Sequence, residues 1–598
     1  MTSTPPKHPI CLRKEFLAAA DIKSTRLYTT ALGLYEAHIN GLRVGDVVLA
    51  PGINKGHNAI GVTVGGGWFM GRIAFSGRDF WANNLGLQVL LTVTTKDGKT
   101  TSLPTDETRA ASTRPLLPSE IYYGETYDSR LEADTERWTM PSFNSSSSNK
   151  LVGVKSLPPF KRQLVSPEGL PVREVQEKQL GKVPKSPCGK TFIYFRQNLV
   201  GWLHLNVEGP AGTNITMHHA EVLEKGEIAP AQIDGRPEGT PLDAKAVKAI
   251  VVHSGLEQTG WFQCSDALLN NCPQRDERLG WTGDTPAFGP MAKLLYNTGG
   301  FWRGWHRDVW SEMKRRGAMK VPFLVPTVPP DNNDPGAAVW SDVVVGGRRG
   351  LFRFYGDAGV LAEQFPQGQA WIEAGLDEAG LWKRAPPEDP GAAMTAKALV
   401  ADAYLIRSTE LLANMSSVLG RAAAEKSCRA QHSALREEFA TAWNTNGSSL
   451  ADRTLTAYAL ALHFDLLPVG NDDDARAASG NKAPSWLYKA AVNGTTTWER
   501  WDSMLPDGTV NTGTVTSFNH YTFGAVAHWI HATIGGLAPA EPWWKMSAVE
   551  PVPGGGIKSN WWVDAAGSHL ELWVPPNAKA SVRLPPRRRW HGGGIGIA

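Results

Sequence analysis

Apolar and polar positions alternate along Leu34-Tyr-Glu-Ala-His-Ile39, run into Asn40-Gly41 and resume over Leu42-Arg-Val44. A period of two marks a strand with one face on a core, and Asn-Gly favours a two-residue hairpin turn. Leu87 to Thr95 is a second strand-like run and closes in Lys96-Asp97-Gly98. Phe192–Phe195 and Trp202–Val207 resume the pattern. Ahead of these, Ser142–Lys150 is polar and of low complexity, which predicts a linker or exposed loop.

The period changes after Gly260. Cys264-Ser265-Asp266 ahead of Ala-Leu-Leu-Asn predicts a helix start with a polar cap. Three later segments carry helical spacing. The first sets Val400, Tyr404, Leu411, Met415 and Val418 on one side and can end at Gly420; the second sets Cys428, Leu435, Phe439 and Trp443 together and ends near Asn446-Gly447. The third carries Leu455, Ala459, Leu462 and Leu466. Short links between such helices favour antiparallel hairpins. From about Glu550 the pattern is β again, with Leu570–Val574, a Pro575-Pro-Asn577 turn and Ser581–Leu584, before an arginine- and glycine-rich tail that reads as disordered.

Composition narrows the class. The chain has 598 residues with 61 Lys+Arg against 58 Asp+Glu, a balance that argues against a nucleic-acid or polybasic membrane binder. Five cysteines (Cys11, Cys188, Cys264, Cys272, Cys428) are scattered, with no spacing that suits a disulfide framework or a zinc site. The N-terminus lacks an apolar signal core and no run of about 18 apolar residues occurs, so a soluble cytoplasmic protein is expected. The anomaly is 23 Trp, side chains whose large apolar face and single N–H suit sugar rings as well as cores.

Two acidic, tryptophan-rich blocks carry candidate chemistry. Cys272-Pro-Gln-Arg-Asp-Glu-Arg-Leu-Gly-Trp-Thr-Gly-Asp284 crowds Arg275, Asp276, Glu277, Arg278, Trp281 and Asp284 into a stretch that its proline and glycines make a shaped loop. Thr495-Thr-Thr-Trp-Glu-Arg-Trp-Asp502 offers Glu499 between Trp498 and Trp501, with His520 close behind in Ser517-Phe-Asn-His-Tyr521. Cleaving a glycosidic bond needs one carboxylic acid to protonate the leaving oxygen and a second carboxylate to activate water or attack carbon. Indole faces hold the apolar side of a sugar, while Arg, Asp and His bind its hydroxyls. Composition alone favours the plainer account, in which such clusters are structural ion pairs, the tryptophans form a core edge and Cys272 is a buried small residue.

Cys272–Asp284 resembles the signature loop of the bacterial-type α-L-rhamnosidases, glycoside hydrolase family 78. The resemblance runs on, in order, through Tyr35–Asp46 with Leu49-Ala-Pro-Gly52, Gly66-Gly-Trp-Phe-Met-Gly71, Ile121-Tyr-Tyr-Gly-Glu-Thr-Tyr-Asp128, Gln197-Asn-Leu-Val-Gly-Trp202, His219-Ala-Glu-Val222, Pro484-Ser-Trp-Leu-Tyr488, Thr495–Asp502 and Ser517–Tyr521. It implies an (α/α)6-barrel catalytic domain, here incomplete, flanked by β-sandwich domains. The implied division is an N-terminal β-sandwich over 24–175, a second β-domain over 176–258, the barrel over 259–545 and a small C-terminal β-domain with its tail over 546–598. It also implies inverting hydrolysis of terminal α-L-rhamnosides, with rhamnose-containing glycosides as partners and no metal or other cofactor. Residue by residue, Glu277 matches the general acid and Glu499 the general base, while Arg275, Trp281, Asp284, Trp340 (in Val-Trp-Ser-Asp342) and His520 match pocket positions.

The chain departs from the family pattern in places. Asn271 stands where the family has Asp, a Gly-Asp-Trp-Leu stretch has no counterpart near Leu381–Pro387, and segments are shortened between Leu467 and Pro484 and around Pro241–Lys248. These departures keep a second reading open, a rhamnoside-binding relative without catalysis. A third is a different glycosidase on the same scaffold, since pocket chemistry sets the sugar.

Overall fold

The computed structural model describes residues 8–18, 20–44, 55–72, 77–113, 115–120, 124–131, 137–141, 143, 151–158, 164, 165, 168, 182–196, 215, 220–228, 279–315, 317, 321–328, 336–376, 395–445, 450–452, 454–466, 486–512, 516–534, 538, 539, 547, 548, 558–564 and 567–573. Within the first part, β1 (Ile10–Ala18), β2 (Ile22–Leu32), β3 (Leu34–Ile39), β4 (Leu42–Val44), β5 (Gly56–Gly65), β6 (Gly86–Thr95), β7 (Thr100–Pro104), β8 (Ala110–Ser112), β9 (Leu116–Glu120), β10 (Gly124–Tyr127) and β11 (Val152–Gly153) follow one another. They form a six-stranded sheet ordered β11-β8-β1-β5-β3-β4, a three-stranded sheet ordered β2-β6-β7 and the pair β10-β9. Leu12, Ile39, Ile60, Val62 and Val64 of the first sheet share one apolar core with Val89, Leu91 and Val93 of the second. Two sheets over one core make the alternation of β6 intelligible, since every second residue must leave water.

The β3–β4 hairpin has the expected register, Ile39 opposite Leu42 and Ala37 opposite Val44. Asn40 and Gly41 take φ of 49° and 82°, the left-handed pair that a two-residue turn between twisted strands requires. The turn after β6 is likewise closed by Gly98. Phe192–Phe195 does not form a regular strand; it is held by isolated bridges, Lys182 to Tyr194 and Lys185 to Thr191, around a turn at Gly189. Ser142, Asn144–Lys150, Trp202–Val207, Cys264–Asn270 and Ser581–Leu584 lie outside the described residues.

The second part is helical. Helices span Asp284–Leu295, Gly299–Arg315, Val343–Tyr355, Ala358–Leu376, Lys397–Val418, Ala422–Trp443 and Leu455–His463. A large apolar core joins them, with Trp302, Trp305, Phe365, Trp371 and Phe439 among its side chains. The Lys397–Val418 and Ala422–Trp443 helices form the expected hairpin across Gly420, whose φ of 67° turns the chain back. Cys428, Leu435 and Phe439 are buried as the spacing indicates.

Two faces need correction. In Lys397–Val418 burial falls on Leu399, Ala401, Ala403, Leu405, Ile406, Leu412 and Met415, while Val418 is exposed, because this helix is packed on several sides rather than on one stripe. In Leu455–His463 the buried side chains among those described are Ala457, Tyr458 and Ala461, and Ala459 faces out, while Leu466 just beyond the helix is buried as the spacing indicates. Small residues there let the helix sit close to the core, which a search for leucines misses. Near the C-terminus, strands Lys558–Asp564 and Gly567–Trp573 pair as a hairpin. Among the described residues no helix is long and apolar enough to cross a membrane.

Candidate active site

The first block enters the described chain at Leu279, and its last residues are held by the segment at 321–325. Thr282 N–H donates to Phe323 C=O at 2.8 Å, and Val325 N–H donates to Gly280 C=O at 2.9 Å. Trp281 therefore runs beside Leu324, and the chain bends at Gly283 into the Asp284–Leu295 helix. The backbone of Gly283 is ordinary in φ and ψ, but a β-carbon there would lie 2.6–2.7 Å from Trp340 Nε1, Cδ1 and Cε2. The Trp340 indole is thus laid against the chain between Trp281 and Asp284.

Trp340 is set by the buried carboxylate of Asp342. Its Oδ1 accepts Ser408 Oγ–H at 2.7 Å and Trp371 Nε1–H at 3.1 Å, and its Oδ2 accepts Val339 N–H at 2.7 Å. The last bond clamps Val339 at φ 74°, a left-handed conformation costly for a β-branched residue. Burial pushes Asp342 up to about 6, against the pull of its three hydrogen bonds.

The second block is stitched to Ser517–Tyr521. Glu499 N–H donates to Ser517 C=O at 2.9 Å, Ser517 N–H returns a bond to Glu499 Oε2 at 3.0 Å, and His520 N–H donates to Thr497 C=O at 2.8 Å. Thr497 Oγ–H caps His520 C=O at 2.6 Å. Trp498 and Phe518 fill the small core beneath. Arg500 and Asp502 pair with each other, and Asn511 joins Asp502, so for these two residues the structural reading of the charges is the right one.

The two blocks meet at His520. Its Nε2 lies 3.9 Å from Asp284 Oδ1 and 3.8 Å from Glu499 Oε1, although 215 positions of sequence separate those carboxylates. Nδ1 accepts Thr522 N–H at 3.3 Å, so the neutral imidazole carries its proton on Nε2, directed between the two acids. Burial lowers the His520 pKa; Asp284 opposes the shift and the Lys489 ammonium adds to it. Asp284 is fixed in turn by Thr522 Oγ–H.

Beside this centre Lys489 is 4% exposed, with its Nζ 4.2 Å from the Phe523 ring centre, 4.7 Å from Trp501, 5.3 Å from Trp486 and 5.8 Å from Trp498. Burial draws it down to about 8. Ring faces offer an ammonium a partial substitute for water.

Asp284, Glu499 and His520 are thus brought together, and Trp281 and Trp340 stand on the same loop wall. Arg275 and Glu277 lie outside the described residues, as do Cys272, Asn271 and the shortened segments near 241–248, 381–387 and 467–484. Sequence reading missed Thr522, Thr497 and Lys489, which act through short-range bonds or ring contacts and have no spacing signature. It also passed over Asp342 as part of a motif built around its tryptophan. Among the described residues no group of three or more His, Cys, Asp or Glu side chains could hold a metal ion.

Residues 257–482 and 471–534 match the bacterial alpha-L-rhamnosidase 6 hairpin glycosidase domain, 20–55 and 53–176 the alpha-L-rhamnosidase N-terminal domain, and 184–262 the bacterial alpha-L-rhamnosidase concanavalin-like domain. The structure of the native α-L-rhamnosidase of Aspergillus terreus superposes with a TM-score of 0.84 at 36% identity, over 98% of this chain and 83% of that one. That of Streptomyces avermitilis α-L-rhamnosidase complexed with L-rhamnose gives 0.81 at 27% identity, over 96% and 67%. In sequence, the Streptomyces avermitilis α-L-rhamnosidase is 29% identical over 709 aligned positions, covering 96% of this chain and 67% of the relative. An alignment longer than the 598-residue chain must open gaps on this side. The chain belongs to the bacterial α-L-rhamnosidase family, glycoside hydrolase family 78.

Proposed function

We propose that this protein is an inverting α-L-rhamnosidase that removes terminal non-reducing α-L-rhamnose from rhamnosides. The observation that carries the reading is the convergence of Asp284 and Glu499 on His520 Nε2, which joins both chemistry-bearing blocks in one centre. The helical region over 259–545 is read as the (α/α)6 barrel, behind β-domains over 24–175 and 176–258 and ahead of a C-terminal β-domain over 546–598.

In this mechanism Glu277 gives its carboxyl proton to the glycosidic oxygen as the C1–O bond breaks. Glu499 takes a proton from the water whose oxygen attacks C1 from the opposite face. The products are the freed alcohol and rhamnose of inverted anomeric configuration, with Glu277 ionised and Glu499 protonated until solvent exchange resets them. Asp284 and Arg275 hold sugar hydroxyls, and Trp281 and Trp340 wall the apolar face. His520, neutral because it is buried, turns an N–H toward Glu499 without adding a full charge. Such contacts can be loose before substrate binds and tighten in the complex.

The test is kinetic. Glu277→Gln and Glu499→Gln should each abolish release of p-nitrophenol from p-nitrophenyl α-L-rhamnoside, and the first anomer formed by wild type, followed by NMR, should be β. Retained turnover in either variant sinks the assignment. Inversion also requires the two carboxyl groups to stand roughly 6.5–9.5 Å apart. The gaps in alignment favour one alternative, a chain that binds rhamnosides without cleaving them; rhamnose binding with no turnover by wild type would select it.

A further inference from the structure

Among the described residues, the second β-domain reaches the lobe that carries Glu499 through the carboxylates of Glu221 and Glu224. Glu221 stands just before a short hairpin, Leu223–Glu224 paired with Glu227–Ile228 across Lys225 and Gly226, which take φ of 49° and 82°. Glu221 Oε1 accepts Ser517 Oγ–H at 3.1 Å and Oε2 accepts Phe518 N–H at 2.8 Å. Val222 packs on the small core of Tyr488, Trp498, Val510 and Phe518, and Glu224 Oε1 accepts Val510 N–H at 3.2 Å. Four consecutive residues are therefore anchored at three points to the lobe that carries Glu499 and His520.

Ser517 links that anchor to Glu499. Its side chain is held by Glu221, its N–H donates to Glu499 Oε2 at 3.0 Å, and its C=O accepts Glu499 N–H at 2.9 Å. Hydrogen bonds to a carboxylate are about twice as strong as neutral ones, and two diverging bonds fix orientation as well as distance. Phe518, the next residue, has no exposed surface, so this stretch cannot relax outward when a bond is lost without opening the small core.

We propose that Glu221 is a positioning residue for the general base, so that the β-domain is a working part of the active site rather than an appended module. The inference rests on Glu499 being that base. Glu221 fixes the Ser517 peptide, and that peptide holds Glu499 in the rotamer from which it can take a proton from water.

The experiment separates a misplaced base from a damaged fold. Azide is a nucleophile that needs no deprotonation, so it attacks C1 directly while Glu277 protonates the leaving oxygen, giving a rhamnosyl azide and the free alcohol. Glu221→Ala should lower kcat on p-nitrophenyl α-L-rhamnoside by about ten- to hundred-fold, the cost of about 1 Å of misplacement, with KM within about twofold of wild type. Added azide should restore much of that rate and yield the azide product, as it should in Glu499→Ala. Ser517→Ala, which removes one of the two bonds without touching the acid, should give a smaller loss of the same kind. Rates are taken well below each variant's thermal midpoint, so that a lower midpoint alone does not count. The inference is overturned if both variants keep wild-type kcat, or if their loss is not relieved by azide while that of Glu499→Ala is. An active Glu499→Ala would instead remove the reading on which it rests.

Discussion

Asp342 offers a quantitative test of how the pocket wall is built. The perturbation is Asp342→Asn, read at two pH values. Burial raises this carboxyl from 3.8 to about 6, a difference worth on the order of 3 kcal/mol. An acid with a raised folded-state pKa keeps its proton longer in the folded chain. Below about 4 both states hold the proton and the group is neutral in each. Between about 4 and 6 the folded chain binds a proton that the unfolded chain has released, so stability falls as pH rises. Above 6 the whole cost is present.

Asparagine cannot ionise and so removes that slope. Its amide oxygen can serve some of the donors from Val339, Trp371 and Ser408, but its NH2 must face another, and an orphaned buried donor costs about 1–3 kcal/mol at any pH. The variant should therefore be clearly less stable than wild type at pH 4.5 and close to it at pH 7. Calorimetric midpoints at both pH values supply the measurement, and every other titrating group cancels in the comparison of differences. About 2 kcal/mol of that cost develops between pH 4.5 and 7, so at roughly 2–4 °C per kcal/mol for a region of this size the gap between the two chains should change by about 4–8 °C. A gap that is the same at both pH values would refute the account of Asp342 as a buried ionisable post.

Two further outcomes follow from the site. Gly283→Ala leaves the backbone unstrained but drives its methyl into the Trp340 indole, so KM for an aryl rhamnoside should rise several-fold; an unchanged KM would show that Trp340 is not a pocket wall. His520→Ala removes the N–H between Asp284 and Glu499, an interaction with charged groups worth about 1.5–3 kcal/mol, so kcat/KM should fall roughly ten- to hundred-fold. An unchanged kcat/KM would count against the arrangement.

The parts of this molecule that were legible in sequence are those where one physical rule acts alone. Asn40-Gly41 demands left-handed backbone, and a hairpin forms whatever surrounds it. Cys428, Leu435 and Phe439 sit on one stripe because the Ala422–Trp443 helix meets the core on a single face. Where several rules compete, local reading fails. Gly299–Arg315 carries glycines at 299, 300 and 304, yet it is a helix whose Phe301, Trp302, Trp305, His306, Val309 and Met313 are buried. Aromatic burial there outweighs a glycine penalty of about 1 kcal/mol each. Val343–Tyr355 opens on three valines, a strand-like run, and Ala358–Leu376 contains Pro366 on its exposed face, but both are helices because each lays a face on the same core.

The site follows the same logic at longer range. Its two blocks were legible as candidates because a carboxylate flanked by indoles is an unusual local composition, while the proposed roles came only with the family resemblance. Its assembly was not, because Thr522, Ser517 and Glu221 are ordinary residues whose value lies only in what they touch. Glu221 and Glu499 are 278 positions apart, and a single serine stands between them in space. A substitution at that serine changes no charge and removes little apolar surface. On stability grounds it belongs with the mild surface changes. If it nevertheless slows water attack and leaves azide attack intact, then the determinants of this reaction extend into a domain that contributes no reacting group, and they are to be sought by following hydrogen bonds outward from Glu499.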